Sequence, residues 1–262
     1  MRIKNLLKIY TPYLHHRLSR GRSSLRLIGS ILQDPDIDFD LINDTLKKSH
    51  GTYDQECPLC GFIGYFKAFG SPPRWNAQCP SCGSLERHRL LALVLRDMPL
   101  SGNFLHFAPE ESVARLLKKQ NIRYVSADLY TPGSDLRLNI ENIDLPNEQY
   151  DTILCSHVLE HVNDRRALLE LHRVLKLSGI LIVIVPINDG CQVTYEDEMI
   201  TSPEEREIHF GQNDHVRVYG ADFVQRLVSA GFEVKIHAAF GKEAIRYGLK
   251  DEKIFLCRKM PA

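Results

Sequence analysis

Net charge is the first thing this sequence lacks: its 262 residues carry 33 Lys and Arg against 33 Asp and Glu. No long-range pull on nucleic acid or an anionic membrane follows from the whole chain. A long apolar run is also missing. The longest, GILIVIVPI, is far short of the roughly 20 residues that cross a bilayer, so no membrane span is expected, and no segment near the start is apolar enough for a secretory core. Internal repeats are absent too. Seven cysteines, four of them in CxxC steps, do not form a disulfide framework in a chain long enough to bury a core without staples. A reducing, cytoplasmic setting is expected. Acidic residues are missing locally, from Met1 to Ser30, where Arg2, Lys4, Lys8, Arg17, Arg20, Arg22 and Arg26 make a cationic segment.

The texture of the chain divides it into a basic helical segment over 1–52, a four-cysteine unit with a connecting helix over 53–100, and an α/β domain over 101–262. DPDIDFD, from Asp34 to Asp40, reads as a loop or helix start. Cys57, Cys60, Cys79 and Cys82 lie in two knuckles of one form, CPLCG and CPSCG, with eighteen residues between the pairs. Two residues between thiolates let both face one tetrahedral ion, and the following glycine permits the tight turn, so a structural zinc ribbon is expected. Four thiolates close the coordination shell, which excludes this zinc from catalysis. The ribbon either folds its own segment or also grips a substrate such as nucleic acid through Arg74, Arg87, His88 and Arg89 with Trp75 as a stacking surface. Arg87 and Arg89 read equally as the solvated face of the next helix, SLERHRLLALVLRDM, whose leucines recur at near-helical spacing. That helix runs straight into the first strand of the α/β domain, so loss of the metal is expected to disturb that domain as well.

From Gly102 onward strand and helix alternate: NFLHFA, ESVARLLKKQ, RYVSADL, DTILCS, RALLELHRVLK, ILIVIVP. Such alternation predicts a doubly wound, Rossmann-like parallel sheet, with GFEVKIHAA and KIFLCRK as a final antiparallel pair. Ligands in such sheets bind outside the carboxyl ends of the strands.

The stretch YDTILCSHVLEHVNDRRALLELHRVLKLSGILIVIVP resembles the class I S-adenosylmethionine-dependent methyltransferases, in which a VLEHV-type turn is common, and the resemblance extends over roughly residues 102–258. It implies a seven-stranded methyltransferase sheet, S-adenosylmethionine as cofactor, and Gly179 of LKLSG as a helix cap. It also makes Asp128 the carboxylate for the cofactor's ribose hydroxyls, with Leu129 beside it, and places Asn139 and Ile140 near adenine. His106, Ala108, Pro109 and Glu110 occupy the first motif, where family members show an acid and a glycine-rich loop, and Ser156 closes the fourth strand. Glu110 or Glu111 could counter the cofactor's amino group. Methyl transfer requires positioning above all, and a base only when the acceptor loses a proton. His157 and His215 are the candidate bases, with His161, His209 and Asp214 as further candidates. Between ILIVIVP and GFEVKIH lies a long insertion that would shape the acceptor site. Its HFGQNDHVRVYG segment, including Gln212, Arg217 and Tyr219, suits either polyol binding or a packing turn. Its acidic residues Glu196, Asp197, Glu198, Glu204, Glu205 and Glu207 would repel a phosphate backbone.

The expectation is a methyltransferase acting on an oxygen or nitrogen of a small polar or glycan-like acceptor. Two alternatives remain: an RNA methyltransferase whose ribbon binds the nucleic acid, and a zinc-dependent interaction protein with a degenerate cofactor pocket.

Overall fold

The computed structural model describes residues 54–70, 74–250 and 252–260. The basic segment 1–52 and the Asp34–Asp40 stretch lie outside the described residues, as does the side chain of Trp75. Among the described residues no helix is long and apolar enough to cross a membrane. Two units are present, one built from residues up to Arg89 together with 239–250, the other from Leu90–Ala238 and residues 252–260.

In the first unit β1 (Gln55–Glu56) pairs with β2 (Ile63–Gly64), and β3 (Lys67–Phe69) with β4 (Arg74–Gln78), both antiparallel. These strands are short; among the described residues Cys57, Cys79 and Phe66 form one buried cluster, and Ala77, Leu85, Ile245, Tyr247 and Leu249 of the same unit are buried as well. The sequence leaves 239–251 in the α/β domain, whereas its described residues fold with the cysteines. Arg89 is the reason. It opens neither to solvent nor to a ligand: fully buried, it donates to the carbonyls of Ala77, Ser84, Tyr247 and Gly248 at 2.9, 3.1, 2.7 and 2.9 Å. A guanidinium is the side chain that can satisfy four carbonyls at once, since it carries five N–H donors in a fixed fork. Helix α1 (Glu86–Arg96) begins here, and His88 Nδ1 accepts the Leu85 amide at 3.1 Å, capping its start. The expected roles of Arg89 and His88 as a solvated or nucleic-acid-binding face are therefore corrected to packing ones.

The second unit contains β5 (Asn103–Phe107), α2 (Glu111–Leu117), β6 (Arg123–Asp128), β7 (Leu136–Arg137), β8 (Tyr150–Ser156), α3 (Asp164–Val174) and β9 (Leu175–Ile184). There follow β10 (Tyr195–Glu196), α4 (Pro203–Phe210), β11 (Arg217–Val218), α5 (Phe223–Ser229), β12 (Phe232–His237) and β13 (Ile254–Lys259), with a short helix α6 (Gly241–Arg246) of the first unit between the last two. Seven strands form one sheet in the order β12-β13-β9-β8-β5-β6-β7. All neighbours are parallel except β13, which runs antiparallel to both β9 and β12. The near-continuous apolar character of β8 and β9 follows from burial on both faces of a central parallel sheet.

Helix α3 shows the expected amphipathic stripe, with Ala167, Leu168, Leu171 and Val174 buried and Asn163 Oδ1 accepting the Arg166 amide at its start. Its end differs from expectation. Leu175 is already extended and belongs to β9, so Gly179 caps no helix. Ser178 takes the left-handed backbone, φ 63°, and a side chain at Gly179 would place its Cβ 2.8 Å from the Lys176 carbonyl oxygen. The glycine serves a tight bend within the strand rather than a helix terminus.

Candidate functional site

The four cysteines converge as their spacing predicts. Cys57 Sγ lies 3.5 Å from Cys82 Sγ and Cys60 Sγ 3.7 Å from Cys79 Sγ, and all four sulfurs lie within 4.8 Å of one another. A disulfide needs sulfurs about 2.05 Å apart, and all seven cysteines are free. A zinc–sulfur bond of about 2.3 Å gives a tetrahedral edge of about 3.8 Å, so the thiols already stand near the separation an ion would impose. The two knuckles are closed alike: the Gly61 and Gly83 amides donate to the Cys57 and Cys79 carbonyls at 2.8 and 3.0 Å, with φ of 74° and 75°. Ser84 Oγ sits 3.2 Å from the sulfurs of both Cys57 and Cys82. Below them the buried Arg89 cation lies 4.3 Å from the Phe66 ring centre, a fitting neighbour for a thiolate cluster of net negative charge. Burial lowers the Arg89 pKa from its ordinary value, and the thiolates and Glu86 oppose that loss.

The second site lies in the sheet domain, where the chain goes outward from β5 to β6 and β7, then returns to build β8 and β9 on the other side of β5. That reversal opens a crevice at the carboxyl ends of β5 and β8. Both strands end in a left-handed residue, Ala108 with φ 48° and His157 with φ 53°, whose amides donate to Ala127 and Ile184 carbonyls at 2.9 and 2.8 Å. The missing glycine of the first motif is thus replaced by an alanine holding the glycine's conformation, at a cost of about 1–2 kcal/mol for a residue with a Cβ. Pro109 follows, and Glu110 Oε2 accepts the Ser156 hydroxyl at 3.1 Å across the two strand ends.

Asp128 ends β6, and its Oδ1 accepts the amides of Tyr130 and Thr131, both at 2.7 Å. Binding a diol there would fall on Oδ2, since two amides already fill Oδ1. Leu129 is half-buried beside it, and Ile140 is buried. The Oδ1 of exposed Asn139 accepts the Glu141 amide at 3.0 Å, leaving one lone pair for a ligand's amine. His106 lies inside β5, fully buried, with Nδ1 3.0 Å from the Tyr124 hydroxyl, and so belongs to the sheet interior rather than to the crevice wall. Glu111 instead pairs with Arg115 at 3.7 Å on the surface of α2.

After β8 come His157 and the turn Leu159–His161, which carries the one histidine of the VLEHV stretch, His161. His157 Nδ1 is 3.1 Å from Glu160 Oε1, and His161 and His215 rings meet edge to face with centres 4.7 Å apart. Asp214 Oδ2 lies 3.3 Å from His161 Nδ1. Burial, then the neighbouring His161, pushes the His215 pKa below its ordinary value. His209 does not join this group; its Nδ1 pairs with the Tyr195 hydroxyl at 2.7 Å.

Arg217 and Tyr219 turn out to build this turn rather than to bind a polyol. Arg217 Nη1 donates to the Leu159 and Val162 carbonyls at 2.7 and 2.6 Å, and the Tyr219 hydroxyl donates to Leu159 and Asp164 at 3.1 and 3.0 Å. Glu196 of the acidic cluster joins them, bonded to Arg226 at 2.7 Å and Arg217 at 2.9 Å. The residue that sequence reasoning passed over is Glu160, whose side chain is fully buried; its place between His157 and His161 in HVLEH was the available signal.

Residues 100–183 match the methyltransferase domain family, and the sheet order, with the last strand antiparallel between the fifth and the sixth, is the class I arrangement the sequence resembles. The chain carries a methyltransferase domain over these residues. Over 52 residues it is 45% identical to an uncharacterized protein of Methanocaldococcus jannaschii, a stretch covering 20% of this chain and 23% of that protein, so the match spans about a quarter of that relative. A Bacillus halodurans methyltransferase structure is similar at 18% identity and TM-score 0.45, covering 65% of this chain and 99% of that one. The 1,6-didemethyltoxoflavin-N1-methyltransferase of Burkholderia thailandensis, solved with 1,6-didemethyltoxoflavin and S-adenosylhomocysteine, is similar at 17% identity and TM-score 0.45, covering 67% and 77%. A methyltransferase of Haloferax volcanii in complex with the Trm112 activator is similar at 15% identity and TM-score 0.47, covering 67% and 91%.

Proposed function

We propose that the protein transfers the methyl group of S-adenosylmethionine to an oxygen or nitrogen of a small polar or glycan-like acceptor, with Cys57, Cys60, Cys79 and Cys82 holding a structural zinc, in the reducing setting of the cytoplasm. The observation that carries this reading is the crevice at the sheet's reversal. It is lined by Ala108, Pro109, Glu110 and Ser156, flanked by Asp128, and faced by the histidine-bearing turn after β8.

Two carboxylates, Glu110 and Asp128, suit a cofactor that is cationic at its sulfonium and ammonium and carries a ribose diol. Bound there, the cofactor supplies an electrophilic methyl group. The protein's share is to hold the acceptor in line with it, to exclude water, and to take a proton where the acceptor must lose one. His157, directly after β8, and His215, packed on His161 of the following turn, are the groups for the last task. The RNA-methylating alternative loses two of its intended contacts, because His88 and Arg89 are buried in the cysteine unit.

Titration calorimetry with S-adenosylmethionine tests the reading against that of a degenerate pocket. Heat is expected from the wild-type chain, with affinity reduced about tenfold or more in Asp128→Ala, the loss of a hydrogen bond to a charged group being worth about 1.5–3 kcal/mol. No heat from the wild type, or equal affinity in the variant, would overturn the cofactor site.

A further inference from the structure

Glu160 is a fully buried carboxylate for which neither oxygen accepts a well-formed hydrogen bond; the nearest partner is His157 Nδ1 at 3.1 Å from Oε1. An unbalanced buried carboxylate costs several kcal/mol. The arginines that clamp the turn bond to other groups. Arg217 spends its Nη1 on the Leu159 and Val162 carbonyls and its Nε on Glu196, while Arg226 is bonded to Glu196 and Asp164. Yet Glu160 has two imidazoles for company. One ligand atom each of Glu160, His161 and His215 lies within 4.8 Å of the others. Asp214 reaches His161 Nδ1 at 3.3 Å, the kind of carboxylate contact that orients a metal-ligating histidine.

We propose that Glu160, His161 and His215 hold a divalent transition-metal ion, separate from the cysteine-bound zinc and open to an outside ligand. Two imidazoles and a carboxylate suit Zn²⁺, Mn²⁺, Fe²⁺ or Co²⁺ rather than Ca²⁺, which takes oxygen ligands. Bonds of about 2.0–2.2 Å put neighbouring ligand atoms roughly 3.3–3.6 Å apart in a tetrahedron, so side-chain rotations of about an ångström close the site. Three protein ligands leave at least one position vacant, the arrangement of catalytic rather than structural sites. The turn is clamped for this purpose by Arg217 and Tyr219, which fix the Leu159 and Val162 carbonyls on either side of the two ligands it contributes.

The consequence for chemistry rests on the methyltransferase reading above. An acceptor hydroxyl bound at the vacant position would lose its proton more readily. Its oxygen would then form the new bond to the methyl carbon as the sulfonium carbon–sulfur bond breaks, leaving the thioether S-adenosylhomocysteine, with the proton passing to His157 or water, because His215 is committed to the ion and His157 alone keeps the role of base. A hydroxyl is thereby favoured over an amine as the methylated group.

The test uses the full chain with its cysteines already loaded with zinc. Co²⁺ is titrated in and followed by visible absorption, and Zn²⁺ is titrated separately while histidine ring resonances are recorded. A second metal equivalent is expected, giving cobalt ligand-field bands without the intense near-ultraviolet band of a cobalt–thiolate bond, and zinc is expected to move the His161 and His215 signals in the wild type. His161→Gln and His215→Asn should each weaken cobalt uptake by about 100-fold or more, and Asp214→Asn by about 10-fold. No second equivalent, thiolate bands alone, or wild-type histidine signals that ignore zinc would overturn the site. The wild-type resonances decide the matter even where a variant fails to fold. Calorimetry with S-adenosylhomocysteine, run on the metal-free site, separates the two readings: metal uptake without cofactor heat leaves the ion site standing and removes the methyltransferase, and the reverse removes only the ion.

Discussion

Arg89 and Glu196 look like ordinary surface charges in the sequence; Arg89 is a buried tie, and Glu196, still exposed, is held by Arg226 and Arg217. Truncating Arg89 removes the guanidinium donor from the carbonyls of Ala77, Tyr247 and Gly248, and from that of Ser84, which keeps the Cys79 amide. Arg89→Ala is expected to destabilise the cysteine unit by about 3–5 kcal/mol. Arg89→Lys should recover less than half, because an ammonium cannot span the fork's acceptors. Zinc release on mild heating measures both, and equal release from Arg89→Lys and wild type would contradict the fork argument. Glu196 gives a pH signature. Hydrogen bonds from Arg226, opposed by burial and joined by those from Arg217, pull its pKa from 4.5 to about 2. A folded value below the unfolded one means that the stabilisation is complete above pH 4.5 and drains away as pH falls toward 2. Glu196→Gln should therefore unfold at lower urea than the wild type at neutral pH, and the gap should close near pH 2.

At the level of elements, the turn Leu159–His161 depends on β11 and the residue after it. Removing the Tyr219 hydroxyl deletes its bonds to Leu159 and Asp164 in a fully buried place, so Tyr219→Phe is expected to cost about 1–3 kcal/mol. It should also lower methyl transfer more than cofactor binding, since the turn carries His161 of the proposed acceptor side. A variant with normal kcat and an unchanged melting temperature would show that the turn stands without this clamp. The strands and helices were legible from their periods: the apolar runs of β8 and β9 and the stripe of α3 each announce burial on two faces or one. The end of α3 was not, because LKLSG offers a glycine where a helix cap is expected and only the pairing of β8 with β9 draws Leu175 into the sheet. The insertion was ambiguous for a related reason. Arg217 and Tyr219 carry the same donors whether they meet a ligand or a carbonyl of their own chain.

For the whole molecule, the described residues of the cysteine unit hold a small apolar core, the Cys57, Cys79 and Phe66 cluster with Ala77, Leu85, Ile245, Tyr247 and Leu249 also buried. Binding energy for a structural zinc, about 10–16 kcal/mol in small zinc peptides, is then the folding energy of that unit. Treatment with a strong chelator, or Cys79→Ser, is expected to abolish amide-exchange protection in 54–89 and 239–250. Protection retained without metal would mean that Arg89 and its carbonyls suffice. The sequence by itself determined the convergence of the four cysteines, the strand and helix alternation, the methyltransferase resemblance and the antiparallel final pair. All of these rest on local spacing or on residue periods that survive without a fold. Tertiary structure alone decided that 239–250 belong with the cysteines, that Ala108 takes a glycine's conformation, that Asp128 spends one oxygen on its own loop, and that Glu160 meets His161 and His215. Each of these is a matter of which buried donor faces which acceptor, and that pairing exists only once distant segments have been brought together.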